Sequence, residues 1–144
     1  RPLPSMPMVE RHNTMVDSAH FGVVQRGMSR VMAHGTGRWY NLPDLQMCGK
    51  TGTVQNPHGK DHAIFIGFAP LDDPQIAVAV VVENAGFGAT WACPVASLMM
   101  EQYLTDSISR PDLLERISQA QLISTTISMQ NPKSTNNKEW EPIR

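Results

Sequence analysis

The spacing of apolar positions changes period once along this chain. From Ser18 to His34 ("SAHFGVVQRGMSRVMAH"), Phe21, Val24, Met28, Val31 and Met32 recur three or four apart, which places them on one face of a helix. Asp17 precedes the run and offers an N-cap. Gly35 and Gly37 follow it and are expected to end the helix as C-cap glycines do. Gly27 inside the run costs about 1 kcal/mol relative to alanine. After Pro43 the pattern becomes strand-like. Residues 47–55 can be extended, while "AIFIGFA" (63–69) and "IAVAVVV" (76–82) are continuous apolar runs of strand length. Runs without polar alternation are expected of strands covered on both faces. Asn56-Pro57-His58-Gly59 is turn chemistry and "PLDDPQ" is a short connection. Short connections favour antiparallel neighbours, so a three-stranded meander of 47–55, 62–69 and 75–83 is expected.

"ENAGFGATWA" then reads as a glycine-rich loop. Pro94 suits the first position of a helix running through Leu104, with Val95, Leu98, Met99 and Tyr103 packing on the sheet. A second amphipathic helix is expected from Pro111 to Gln121, with Leu113, Leu114 and Ile117 inward. The stretch to Val16 reads as an entry segment, and residues beyond Met129 carry too few apolar groups to offset the entropy of ordering. The fold class is therefore α+β, an antiparallel sheet covered by helices, with residues 106–144 forming a C-terminal helix and a mobile polar tail. Three strands are few for a sheet buried on both faces, which hints at a missing partner.

Bulk properties narrow the function. The 144 residues carry 12 Lys+Arg against 13 Asp+Glu, a formal net charge of −1. No basic cluster with interleaved aromatics argues for nucleic acid. No stretch approaches the roughly 20 apolar residues of a membrane span, and "RPLPSMPMVE" is not a signal peptide. Cys48 and Cys93 make neither a disulfide framework nor a zinc set, and two buried thiols are expected rather than a bridge. His58 and His62 stand four apart, but a turn and a strand start with no third ligand favour polar loop residues over a metal site.

Gly49-Lys50-Thr51-Gly52-Thr53 carries the candidate chemistry. A phosphate-cradling G-x-x-x-x-G-K-[ST] loop would need glycine at position 44, where the chain has Asp44. It would also have to open a helix, and "GTVQNPHG" is a β-branched run followed by a proline turn. Lys-Thr-Gly on a strand is instead the third signature of penicillin-binding proteins and serine β-lactamases. A lone triplet with a solvated lysine would more often be an exposed strand end. Here it is followed in order by a turn, two apolar strands and a helix.

"CGKTGTVQNPHGKDHAIFIGFAPLDDPQIAVAVVVENAGFG" resembles the C-terminal part of the transpeptidase domain in the penicillin-binding protein 2 family, class B peptidoglycan transpeptidases of rod-shaped growth. "GVVQRGMSRVMAHGTGRW" resembles the helix and Gly-Thr-Gly segment that precede that strand. The resemblance spans about residues 12–105, so residues 1–105 are expected to be the C-terminal portion of a transpeptidase domain. It implies Lys50 as the catalytic residue of this segment, a positive charge beside a nucleophilic serine and beside the carboxylate of a D-Ala-D-Ala stem peptide. It implies Thr51, Gly52 and Thr53 as substrate-binding residues. The threonines donate hydroxyl hydrogen bonds, Gly52 lets an extended substrate lie against the strand, and the Thr53 N–H is one oxyanion donor. No metal or organic cofactor is implied. The implied partners are peptidoglycan stem peptides, β-lactams and the cell-elongation machinery, with an absent anchor holding the parent in the inner membrane.

The nucleophile itself is not in this sequence. Ser107 opens "SISR", Ser29 "SRVM" and Ser97 "SLMM", none of them S-x-x-K, and "STN" at Ser134–Asn136 lies after the Lys-Thr-Gly strand rather than before it. The chain is therefore expected to be a fragment carrying one wall of the site and inactive alone. Two other readings stay open: a serine β-lactamase or β-lactam sensor, and a non-catalytic interaction module of the same fold. Exposed strand edges in such a fragment would also favour self-association as a truncation artefact.

Overall fold

Residues 14–122 are described by a computed structural model, and the polar segment beyond Met129 lies outside them. The elements are α1 (Ser18–Ala33), β1 (Cys48–Val54), β2 (His62–Ala69), β3 (Ile76–Val82), α2 (Ala92–Thr105) and α3 (Pro111–Ser118), with single 3₁₀ turns at Arg38–Tyr40 and Pro43–Leu45. The strands form an antiparallel sheet in the order β1-β2-β3, the expected meander. Cys48 pairs with Phe68 and Val54 with His62, while Ala63 pairs with Val82 and Ala69 with Ile76.

This register sorts the side chains into two faces. Gly49, Thr51, Thr53, Ala63, Phe65, Gly67, Ala69, Val78 and Val80 share the face on which α2 packs. Phe65 is fully buried there, which stabilises the fold by about 2–3 kcal/mol relative to an exposed ring. The ring lies over the position a Cβ at Gly49 would need, with Cε2 only 2.7 Å from it, so glycine at 49 makes room for Phe65. The opposite face departs from the expectation of strands covered twice. Among the described residues, Ile66 and Val81 stay 49% and 61% exposed on it. An unbroken apolar run does not say which of its faces is covered, because both faces of the run look alike in sequence.

Asp17 caps α1 as expected, its carboxylate accepting from the Ala19 N–H at 2.9 Å. The other end corrects the sequence reading. The C-cap is His34, and neither Gly35 nor Gly37 has positive φ. They are needed for close approach instead. A Cβ on Gly35 would lie 2.9 Å from the Val31 Cα and carbonyl oxygen, and one on Gly37 would meet the Met32 sulfur at 2.5 Å. The apolar stripe of α1 is buried only at its C-terminal end. Met32 is fully buried, but Phe21 and Val24 are exposed.

α2 corrects two further expectations. It begins at Ala92, two residues before Pro94. Its sheet-facing residues are small ones, Ala92, Cys93 and Ala96, joined by Met100, whereas Met99 and Tyr103 are half-exposed. Small side chains let the helix sit close to the sheet, and the larger ones turn toward α3. There Ile76, Leu98, Met99, Tyr103, Leu114 and Ile117 line an apolar groove, so Leu114, expected inward, is 41% exposed.

A buried polar network ties α2 to α3. Glu101 is 2% exposed and its Oε2 accepts from Arg110 Nε and Nη2 at 3.0 and 2.8 Å. Its Oε1 accepts from the Ser109 N–H and hydroxyl at 2.7 and 2.5 Å. Arg110 also donates to the Tyr40 carbonyl at 3.0 Å and to the Ser97 hydroxyl at 2.9 Å. The network therefore joins α2, α3 and the 3₁₀ turn before β1. Burial alone would raise the Glu101 pKa, but the Ser109 hydrogen bonds and the Arg110 charge outweigh it and hold the carboxyl below its ordinary value.

Candidate active site

β1 is an edge strand, and no described strand pairs with its outer side. Which of its backbone groups face outward follows from the glycine-rich loop. A Cβ on Gly88 would collide with the carbonyl oxygens of both Gly52 and Ile64 and would lie 3.1 Å from the Gly52 nitrogen. Two carbonyls of facing residues come that close only in a hydrogen-bonded pair, where both point between the strands. Gly52 and Ile64 are such a pair, so alternation turns the N–H and C=O groups of Thr51 and Thr53 to the open edge. Lys50 agrees with this assignment: its Nζ donates to the Thr51 carbonyl at 2.6 Å.

The Lys50 side chain leaves β1 on the face opposite Thr51 and Thr53 and folds back to the edge. An ammonium, two threonine hydroxyls and two backbone N–H groups that have no partner among the described residues thus border one strand edge. Lys50 and Thr53 are exposed, while Thr51 and Gly52 are half-buried. Gly52 differs from its neighbours in one respect. A Cβ there would make ordinary contacts with Ile64, at 3.5 and 3.8 Å. Nothing in the described fold therefore requires glycine at 52, whereas Gly49 and Gly88 are each required by a clash.

Two features beside β1 escaped the sequence reading. Thr36 Oγ1 lies 2.9 Å from Thr51 Oγ1, and Gly88 seats the loop after β3 beneath Gly52. The Gly-Thr-Gly segment was a visible signal for the first, but nothing in one sequence places it against β1. The loop is held by polar stitches. Asp61 accepts the Gly86 N–H through its carbonyl at 2.7 Å, and Asn56 Nδ2 donates to Asn84 Oδ1 at 2.7 Å. The Asn84 N–H donates to His62 Nδ1 at 3.1 Å. His62 is thus a structural acceptor, and no group of three or more metal-ligating side chains is present among the described residues. Trp91 packs against the core while Phe87 is 73% exposed.

Cys48 and Cys93 are free and buried, as expected. Burial pushes the Cys93 thiol up to about 12, with a small opposing effect of Arg110. Burial also raises the Cys48 thiol, partly opposed by the neighbouring Ser29 hydroxyl and reinforced by the Asp72 charge. Both shifts disfavour the reactive thiolate.

The family model for the penicillin binding protein transpeptidase domain matches residues 7–101. The chain belongs to this family. Similar relatives include the peptidoglycan D,D-transpeptidases MrdA of Haemophilus influenzae and Acinetobacter baumannii. The first is 35% identical, covering 62% of this chain and 17% of the relative. The second is also 35% identical, covering 61% and 15%. Among solved structures, Pseudomonas aeruginosa PBP2 is 38% identical with a TM-score of 0.57, covering 74% of this chain and 23% of that one. Penicillin-binding protein A of Mycobacterium tuberculosis, solved as a ceftriaxone acyl-enzyme complex, is 29% identical with a TM-score of 0.54, covering 58% and 21%. The chain thus spans about one sixth of the curated relatives it matches. Its three-stranded antiparallel sheet with flanking helices is part of the penicillin-binding transpeptidase fold.

Proposed function

We propose that this chain forms one wall of the active site of a peptidoglycan D,D-transpeptidase, and that its serine nucleophile lies in a part of the protein outside these 144 residues. The serine oxygen bonds to the penultimate D-alanine carbonyl of a stem peptide. The terminal D-alanine leaves with the proton on its amine. An amine of a neighbouring stem then displaces the serine and completes the cross-link. β-Lactams acylate the same serine. No metal or organic cofactor takes part in this scheme.

In this reading Lys50 is the catalytic residue of the segment, and its ammonium steadies both the serine and the substrate carboxylate. Thr51 and Thr53 bind the carboxylate through their hydroxyls, and the Thr53 N–H is an oxyanion donor. The protein would sit in the inner membrane with this domain on the periplasmic face, working with the cell-elongation machinery.

The observation that carries the reading is Gly52. It is glycine without any packing reason, on a strand whose open edge presents Thr51 and Thr53. A side chain at 52 would project on the same face as Lys50, and a substrate that lies along the edge and reaches over that face toward the ammonium supplies the missing reason. Gly52→Ala in the full-length protein is expected to leave the melting temperature within about 2 °C of wild type, while labelling by a fluorescent penicillin falls about tenfold. Undiminished labelling would remove the substrate from this edge.

A further inference from the structure

The side chain placed closest to the proposed carboxylate-binding hydroxyl belongs to a residue with no role so far. Thr36 Oγ1 lies 2.9 Å from Thr51 Oγ1, and among the described residues neither hydroxyl has another hydrogen-bond partner. Each hydroxyl owns a single proton and can accept as well as donate. The pair therefore has two arrangements. If Thr51 donates to Thr36, its proton is spent inside the protein. If Thr36 donates, the Thr51 proton is free to point outward. Only the second lets Thr51 donate to an anion.

Thr36 is held where it can do this. It lies in the turn after α1, where Gly35 N–H donates to the Arg30 and Val31 carbonyls at 3.1 Å each. Gly37 N–H donates to Val31 O at 3.1 Å, and the Tyr40 N–H donates to Gly37 O at 3.0 Å. Arg38 adds a guanidinium bond to the Gly35 carbonyl at 3.2 Å. The Met32 sulfur fills the space a side chain at 37 would take. The turn is thus fastened on both sides of Thr36, yet Thr36 itself is exposed and contributes little to packing.

We propose that Thr36 is a positioning residue for Thr51. It donates its hydroxyl proton to Thr51 Oγ1, so that Thr51 directs its own proton to the substrate carboxylate. The inference rests on the transpeptidase reading above, and it adds a residue that Lys-Thr-Gly does not contain. A bound carboxylate favours the productive arrangement, because a hydrogen bond to an anion is stronger than one between two hydroxyls.

The test uses the full-length protein and two peptides ending in D-Ala-D-Ala, one with a free carboxylate and one with a C-terminal amide. The readout is the ratio of acylation efficiency between them. Thr36→Val is expected to lower that ratio about tenfold, mainly through weaker binding of the free acid. Thr36→Ser should restore it to within about twofold. In a Thr51→Val background, Thr36→Val should have no further effect. A merely structural role would lower both peptides alike and leave the ratio unchanged, which would overturn the proposal. If Thr51→Val lowers the ratio but Thr36→Val does not, the proposal alone falls. If neither changes it, the carboxylate does not bind at Thr51, and both readings fall.

Discussion

Lys50→Ala in the full-length protein is expected to slow acylation by a β-lactam about 10²–10³-fold without measurable loss of stability. Both halves of this expectation come from the position of Lys50. The side chain is exposed, and its one hydrogen bond among the described residues is to the adjacent Thr51 carbonyl. Losing that contact costs the fold no more than about 0.5 kcal/mol, as for an ordinary surface substitution. Losing the charge matters more once a substrate covers the edge of β1. An ammonium beside a developing oxyanion and a carboxylate then acts with little water between, and electrostatic interactions strengthen in that setting. Lys50→Arg should recover part of the rate, because it keeps the charge but not the compact geometry. The check is the second-order acylation rate, measured beside the thermal unfolding midpoint. A rate unchanged in Lys50→Ala would make Lys50 a bystander.

Arg110→Ala should have the opposite profile, a large loss of stability from a residue outside the Lys50–Thr53 segment. Removing the guanidinium leaves the Glu101 carboxylate buried at 2% exposure with only Ser109 as partner. Breaking one side of a buried ion pair typically costs about 3–5 kcal/mol. It also removes the guanidinium's bonds to the Tyr40 carbonyl and the Ser97 hydroxyl, which keep the bond from Ser97 Oγ to the Tyr40 carbonyl, so the tie of α3 to α2 and to the turn before β1 weakens.

The same network makes a statement about pH. The folded pKa of Glu101 is depressed, so the network's stabilisation is complete above the unfolded glutamate value, about 4.3. It is lost as pH falls through the lower folded value. Urea unfolding from pH 7 down to pH 3 should show wild type losing stability at the acid end. Arg110→Ala should start lower and lose less. Equal acid sensitivity in the two proteins would mean that the pair contributes nothing to stability.

The meander was legible in the sequence because its turns and runs are local signals. Asn56-Pro57-His58-Gly59 and the two apolar runs mark β2 and β3 to within a residue or two. Asp17 likewise announced the start of α1. What could not be read were facts that depend on distant partners. Gly35 and Gly37 look like C-caps in sequence, but they serve Val31 and Met32 by close approach. Met99 and Tyr103 fit an inward stripe, yet Ala92, Cys93 and Ala96 take the sheet side because they allow closer packing.

Glu101 and Arg110, nine residues apart, gave no sign of a buried pair until α3 folded back on α2. At the candidate site the division is similar. Lys50, Thr51, Gly52 and Thr53 were legible as an ordered motif. The open-edge orientation of Thr51 and Thr53, the seat of Gly88 and the Thr36 contact required coordinates.

On the proposed function, the edge of β1 receives the acyl group. A crystal structure of the full-length protein acylated by a penicillin tests it most directly. The acyl carbonyl oxygen is expected within about 2.7–3.1 Å of the Thr53 nitrogen, and the penicillin carboxylate against the Thr51 hydroxyl with the Lys50 ammonium nearby. An acyl group whose oxygen and carboxylate find their donors elsewhere, with Thr51 and Thr53 still facing solvent, would contradict it.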